Sequence, residues 1–182
     1  MRKTFLLAVL LLLVSLAALA KDKDKGASKN ASEAAPKAEL FGGFSYLRAN
    51  PGGGLPGTNA IGWNASLNWN WNRWFGVKAD FDGHYCCAGQ KVHNFMFGPQ
   101  FSYRRSKATF FVHGLGGASH GSATGFSDTV AVWAVGGGVD WKLRKNLAWR
   151  IGQADYVSTH FGGVFQHDFR VASGLVWRIG GK

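Results

Sequence analysis

Cysteine is scarce in this chain and badly placed for cross-linking. The two cysteines are neighbours, Cys86 and Cys87, and adjacent residues cannot close a long loop, so they provide no disulfide framework. They read as small loop residues, with a vicinal disulfide or a link to a second chain as alternatives. Four ligands at zinc-finger spacing are also missing. Long apolar runs are confined to the N-terminus. No later window approaches the ~18 consecutive apolar residues of a membrane helix, which excludes such a helix from the mature chain. Acidic residues are few, 10 Asp and Glu against 21 Lys and Arg, for a formal net charge of +11. A basic balance often marks nucleic-acid binding, but an exported chain has no nucleic acid to meet, and anionic lipopolysaccharide is the more natural counter-charge.

Export is read from the first twenty residues. Arg2 and Lys3 give a positive start, Phe5 to Leu13 an apolar run, and Ala18-Leu19-Ala20 a small-x-small cleavage site before Lys21. Residues 1–20 are therefore expected to be a cleaved signal peptide. Residues 21–38 (KDKDKGASKNASEAAPKA) are charged and small, cannot bury enough surface to fold, and are expected to form a flexible periplasmic tail. The barrel domain described next is assigned to residues 39–182.

What the chain has in abundance is alternation. From Ile61 to Asn72, Ile61, Trp63, Ala65, Leu67, Trp69 and Trp71 share one parity, and Gly62, Asn64, Ser66, Asn68, Asn70 and Asn72 share the other. A strand turns successive side chains to opposite faces, so this segment has one aliphatic and aromatic face and one amide-rich face. Seven further segments read as strands: Leu40 to Arg48, Phe75 to Tyr85, Val92 to Arg104, Thr109 to about Ser119, Thr129 to Lys142, Leu147 to Thr159 and Asp168 to Ile179. Connections after the second, fourth and sixth strands are short and basic; the others are longer and richer in Gly. Bacterial membrane barrels show this asymmetry, and each predicted strand is about as long as the ~9–11 residues a tilted crossing needs. The 26 Gly and 14% aromatic residues suit curved strands and interfacial belts, while the mean hydropathy of −0.07 is uninformative, because half of each strand points inward.

The direction of the apolar face separates a membrane barrel from a soluble one. With the apolar set inside, Trp63, Trp69, Trp71, Trp133, Trp141 and Trp177 would overfill an eight-stranded interior, which side chains only just fill. Turned outward, the same rings sit near strand ends, where amphipathic aromatics favour the membrane interface. The predicted fold is thus all-β, an eight-stranded antiparallel up-and-down transmembrane β-barrel with both chain ends in the periplasm. Its lumen is expected to hold a paired network of Lys78, Asp80, Asp82, Arg104, Asp140, Asp155, Arg170 and Arg178, joined by Lys142 and Asp168, because buried charges must be paired. Arg150 and Gln153 differ in parity. Either a bulge realigns them or Arg150 snorkels to an interface, while Gln153 and Asp155 are expected to face the lumen together.

The stretch Glu39-Leu40-Phe41-Gly42-Gly43-Phe44-Ser45-Tyr46-Leu47-Arg48, the strand count and the ending Gly174-Leu175-Val176-Trp177-Arg178-Ile179 resemble the OmpA-like family of small outer-membrane β-barrels. Arg150-Ile151-Gly152-Gln153-Ala154-Asp155-Tyr156 resembles the seventh strand of that group. The resemblance spans about residues 39–180 and implies outer-membrane localisation, contact with lipid and lipopolysaccharide, insertion by the barrel-assembly machinery, and a monomer without nucleic-acid partners or cofactors. It specifies architecture rather than activity. No peptidoglycan-binding domain is expected after the barrel, so cell-wall anchoring is not carried over, and Trp177 and Ile179 are expected to serve as the terminal assembly signal.

Function is therefore expected to lie in membrane structure and in surface contacts through loops 49–59, 86–91, 120–128 and 160–167. A lipid A deacylase-like enzyme is the alternative, since such barrels use a His and Ser two apart, as in His120-Gly121-Ser122, with Asp128 the nearest acid. A narrow pore is the third reading. His84, His93, His113, His160 and His167 are scattered one per segment, so no metal site is expected.

Overall fold

A computed structural model describes residues 35–50, 56–86, 89–123, 125–161 and 164–180. The expected signal peptide, and the tail up to residue 34, lie outside them. Eight strands follow one another: β1 Ala38–Ala49, β2 Thr58–Asn70, β3 Phe75–Tyr85, β4 Lys91–Arg104, β5 Ala108–Ala123, β6 Phe126–Arg144, β7 Leu147–Phe161 and β8 Val164–Ile179. Each pairs antiparallel with its neighbours in sequence, and β1 pairs with β8 to close the ring. Closure removes the edge strands, so the main-chain hydrogen bonds are satisfied within the wall, the condition for crossing hydrocarbon.

Two-residue periodicity sets the two faces. In β2, Asn64, Ser66, Asn68 and Asn70 are buried in the lumen, while Ile61, Trp63, Leu67 and Trp69 are exposed on the outer wall. The same inversion holds around the ring: Leu40, Phe44, Phe95, Phe97, Phe110, Val135, Leu175 and Ile179 lie outside. In water, so broad an apolar exterior would be an aggregation surface. In a bilayer it is the lipid-facing band of a transmembrane β-barrel. β5, whose doubled residues hide its faces from periodicity, turns Thr109, Phe111, His113 and Leu115 inward and Phe110 and Val112 outward.

Several boundaries differ from the sequence expectation. Strand β1 starts at Ala38, and the carbonyls of Pro36 and Lys37, assigned to the tail, accept bonds from Asn70 Nδ2 (2.9 Å) and Asn70 N (2.9 Å). Strand β2 stops at Asn70 rather than Asn72. The side chain of Asn72 accepts from the amides of Trp74 and Phe75 (both 2.8 Å), an Asx turn that competes with strand continuation. Within the expected loops 120–128 and 160–167, residues 120–123, 126–128, 160–161 and 164–167 are strand, because the β5–β6 ladder runs out to Ala123↔Phe126 and the β7–β8 ladder to Phe161↔Val164; residues 124, 162 and 163 lie outside the described residues. Polar composition there misleads, since at the aqueous end of a barrel polar residues occupy both faces. Gly125, at φ 79°, supplies the left-handed residue of the β5–β6 hairpin. Loops 49–59 and 86–91 shrink to the stretches between Ala49 and Thr58 and between Tyr85 and Lys91, parts of which lie outside the described residues.

Candidate functional site: a charged lumen and an aromatic outer wall

The lumen holds six carboxylates, Glu39, Asp80, Asp82, Asp140, Asp155 and Asp168, facing the cations Lys78, Arg104, Arg150, Arg170 and Arg178. They divide into linked clusters. At the centre of the first is Arg170 on β8, wholly buried, whose guanidinium bonds Asp155 on β7 (2.8 Å), Asp80 on β3 (2.8 Å) and Asp82 on β3. Strands β3 and β7 stand opposite each other in the ring, so Arg170 ties the two walls together. Lys78 Nζ lies 3.0 Å from Asp80 and donates across the lumen to Gln153 Oε1 at 3.2 Å. Around this core, Asn64 donates to Asp80 (3.0 Å), Asn94 to Asp82 (2.8 Å) and Gln153 to Asp155 (2.7 Å). His113 Nε2 lies 2.9 Å from Asp155, and His84 is 3.1 Å from Asp82 and 2.9 Å from Ser45 Oγ. Asp80, Asp82 and Asp155 thus each have several donors, which is what burial of charge demands. A methyl group at Gly136 would press on the Asp155 carboxylate, so the missing side chain there is what admits this acid.

The second cluster lies nearer the short turns. Glu39 on β1 receives Arg104 Nη2 from β4 at 2.9 Å and the amides of Asn68 (3.2 Å) and Asn70 (3.1 Å), with Arg178 Nε 3.6 Å away.

Arg150 ties Asp140 to the first cluster through Gln153. Its guanidinium grips Asp140 with two donors (2.8 and 3.1 Å), donates to Gln153 Oε1 (2.7 Å), and lies 4.2 and 4.3 Å from the ring centres of Phe41 and Phe111. Phe41 on β1 and Phe111 on β5 also face each other across the ring, so the cation is sandwiched between them. The pairing register explains how it gets there. A shift between Arg150 and Gln153 against β8, and another between Val139 and Asp140 in β6 against β7, form a bulge that leaves Ile151 on the lipid side and both Arg150 and Gln153 inside. Of the two alternatives for Arg150, the bulge is the one found. Replacing Arg150 by Leu is expected to lower unfolding stability by about 3 kcal/mol, because Asp140 is left buried without its partner. Adding Asp140→Asn should recover a substantial part of that loss, as read from a urea double-mutant cycle in vesicles.

The remaining predicted positions are placed as follows. Lys142 is half-buried near the short-turn end of β6, and Asp168 is buried at the opposite rim, where Asn50 N donates to it at 2.8 Å. His120 and Ser122 share the outer face of β5, but the ring nitrogens of His120 are engaged by Thr129 Oγ1 (2.8 Å) and Ser127 Oγ (3.4 Å). Asp128 accepts from the amide of Thr129 at 2.8 Å and sits on the lumen parity of β6. The three do not assemble as nucleophile, base and orienting acid. Among the described residues, no group of three His, Cys, Asp or Glu side chains could hold a metal ion.

Of the named aromatics, Trp63 and Trp133 lie towards the long-strand end, and Trp69, Trp141 and Trp177 sit on the outer wall near the short turns. Trp71, expected on the second strand, is in the turn instead and stacks on Phe75 at 5.4 Å. Periodicity overlooked Trp74, placed beyond a strand end, and Trp149, on the strand whose bulge obscures its faces; both are exposed beside the others. Six of the eight tryptophans therefore ring one end of the barrel.

No protein-family profile matches the sequence, and no curated protein matches it. Solved structures do match. Neisserial surface protein A superposes with a TM-score of 0.66 at 8% identity, over 79% of this chain and 97% of that one. The Yersinia pestis attachment invasion locus protein, Ail, gives 0.55 at 20% identity over 79% and 99%. The N-terminal barrel domain of Pseudomonas aeruginosa OprF gives 0.50 at 7% over 78% and 98%. At these identities the likeness is one of fold: the chain is built as a small eight-stranded transmembrane barrel, like the outer-membrane proteins of the OmpA-like group that its strands resemble.

Proposed function

We propose that this protein is an integral, non-catalytic component of a bacterial outer membrane that stabilises the envelope and makes contacts at the cell surface. Its lumen is filling: charged and aromatic side chains reach across it and bind one another. The surface role rests on one observation at the end away from the basic turns. Residues 126–131 of β6 are paired with β5, whereas the ladder to β7 begins only at Val132↔Thr159 among the described residues. The β5–β6 hairpin thus outgrows its neighbour and offers main-chain donors and acceptors along one side, which suits recognition by strand addition. Lipid and lipopolysaccharide are the proposed surroundings, and the barrel-assembly machinery the proposed route of insertion. The name of Ail, an attachment protein of the same fold, is in keeping with this reading.

The test compares cells with the wild-type protein, with none, and with a hairpin in which residues 122–127 are replaced by Asn-Gly. Wild type and trimmed protein should both fractionate with the outer membrane and migrate differently before and after boiling. Loss of the protein should raise detergent sensitivity, and trimming alone should abolish adhesion to host-cell monolayers. Soluble recovery without a heat shift would sink the reading. So would lipid A deacylation that disappears in Ser122→Ala, which would restore the enzyme.

A further inference from the structure

The net charge of the barrel is sorted in space. Six of the seven described carboxylates point into the lumen, and the seventh, Asp128, belongs to the β5–β6 hairpin. The cations outside the lumen gather at the other end. Lys37, Arg73, Arg105, Lys107, Arg144 and Lys145 are all exposed at the short turns, against Arg48 and Lys91 at the long-strand rim. No carboxylate shares the outer surface of the short-turn end among the described residues, and that is also the end ringed by six tryptophans. Two guanidiniums are held against this ring: Arg73 lies 5.9 Å from the centre of Trp74, and Arg105 lies 5.0 Å from Tyr103. Arg73 is further fixed by donating to the Arg104 carbonyl at 3.2 Å. Indole and phenol rings settle at headgroup depth in a bilayer, so these cations are set at the height of lipid phosphates.

We infer that the short-turn rim is a collar that binds the phosphodiesters of anionic glycerophospholipids in the adjoining leaflet. The occupant follows from the chemistry. The collar lacks an acidic counterpart of its own, it is joined to a lipid-anchoring aromatic belt, and guanidinium groups match phosphate geometry. The inference rests on the outer-membrane reading, in which short turns face the periplasm. It puts the chain's basic excess on the phospholipid side rather than on the lipopolysaccharide side. Each Lys or Arg near an anionic surface favours it by on the order of fivefold at low salt, so a cluster of this size should select lipids strongly.

The experiment reconstitutes the full chain into vesicles of phosphatidylcholine alone and with a third phosphatidylglycerol, and reads the temperature at which the unboiled gel form is lost. A quintuple variant, R73Q/R105Q/K107Q/R144Q/K145Q, and a charge-keeping one, R73K/R105K/R144K, are run beside the wild type. The expected result is an upward shift with phosphatidylglycerol for the wild type and the charge-keeping variant, shrinking in high salt and in the quintuple variant. Should the quintuple variant not fold, native mass spectrometry of wild-type protein from mixed-lipid nanodiscs reads the same selectivity as retained phosphatidylglycerol. Equal shifts in the wild type and quintuple variant, or no lipid preference, would overturn the collar. So would charge-dependent binding to purified peptidoglycan with no lipid response. In each case a preserved heat shift leaves the barrel itself standing.

Discussion

Replacing Arg170 by Met is expected to cost about 3–5 kcal/mol of unfolding stability, the range for removing one partner from a buried ion pair. Nothing else in the lumen can take over its position. Three carboxylates from two opposed strands converge on its guanidinium, and all of these side chains are fully buried. Without it, Asp80 keeps Lys78 and Asp155 keeps His113 and Gln153, but the negative charges face one another in a space that water enters poorly. Arg170→Lys should fall between wild type and Met, because an ammonium keeps the charge but cannot fork to several carboxylates at once. A urea titration in phosphatidylcholine vesicles, followed by tryptophan fluorescence and by the heat shift, measures all three. An unchanged midpoint for Arg170→Met would mean that the hub is not the element binding the two walls.

The second large effect is expected on the outer wall. Phe97 lies near the middle of β4 and is 70% exposed. In a water-soluble barrel, Phe97→Arg would be neutral or would improve solubility. With hydrocarbon outside, it should cost about 2–4 kcal/mol, whereas an arginine close to the interface costs about 0–1. Ser127→Arg at the hairpin rim supplies that comparison. The depth dependence is what carries the test: equal effects at the two positions in vesicles would contradict a membrane-spanning wall, whatever the fold.

What could be read from the residues is what is local to a strand. The side-chain period of two is a property of each segment taken alone, so the parity of Ile61 to Asn70, or of Phe75 to Tyr85, foretold which side chains face lipid. Counting such segments foretold eight strands, and the contrast between apolar and charged parity foretold which face lies outside. Loop and strand limits were less legible where polar residues continue a ladder, as in 120–123 and 126–128. A strand end is decided by its partner as much as by its own composition.

The lumen was legible as an inventory but not as a set of bonds. Nothing in the spacing of Arg170, Asp80 and Asp155 says that they meet, since their contact depends on ring closure and on the stagger between strands. Arg150 shows the difference most sharply. Its parity left two outcomes open, and a register shift against β8 turned it inward, between Phe41 and Phe111. The collar of cations is of the same kind: six basic residues scattered from Lys37 to Lys145 become one surface only when the short turns are brought to one end. The sequence by itself determined the wall, because strand faces alternate wherever the chain is extended. Only the tertiary structure decided the lumen and its rims, because register and closure choose which distant side chains share a place.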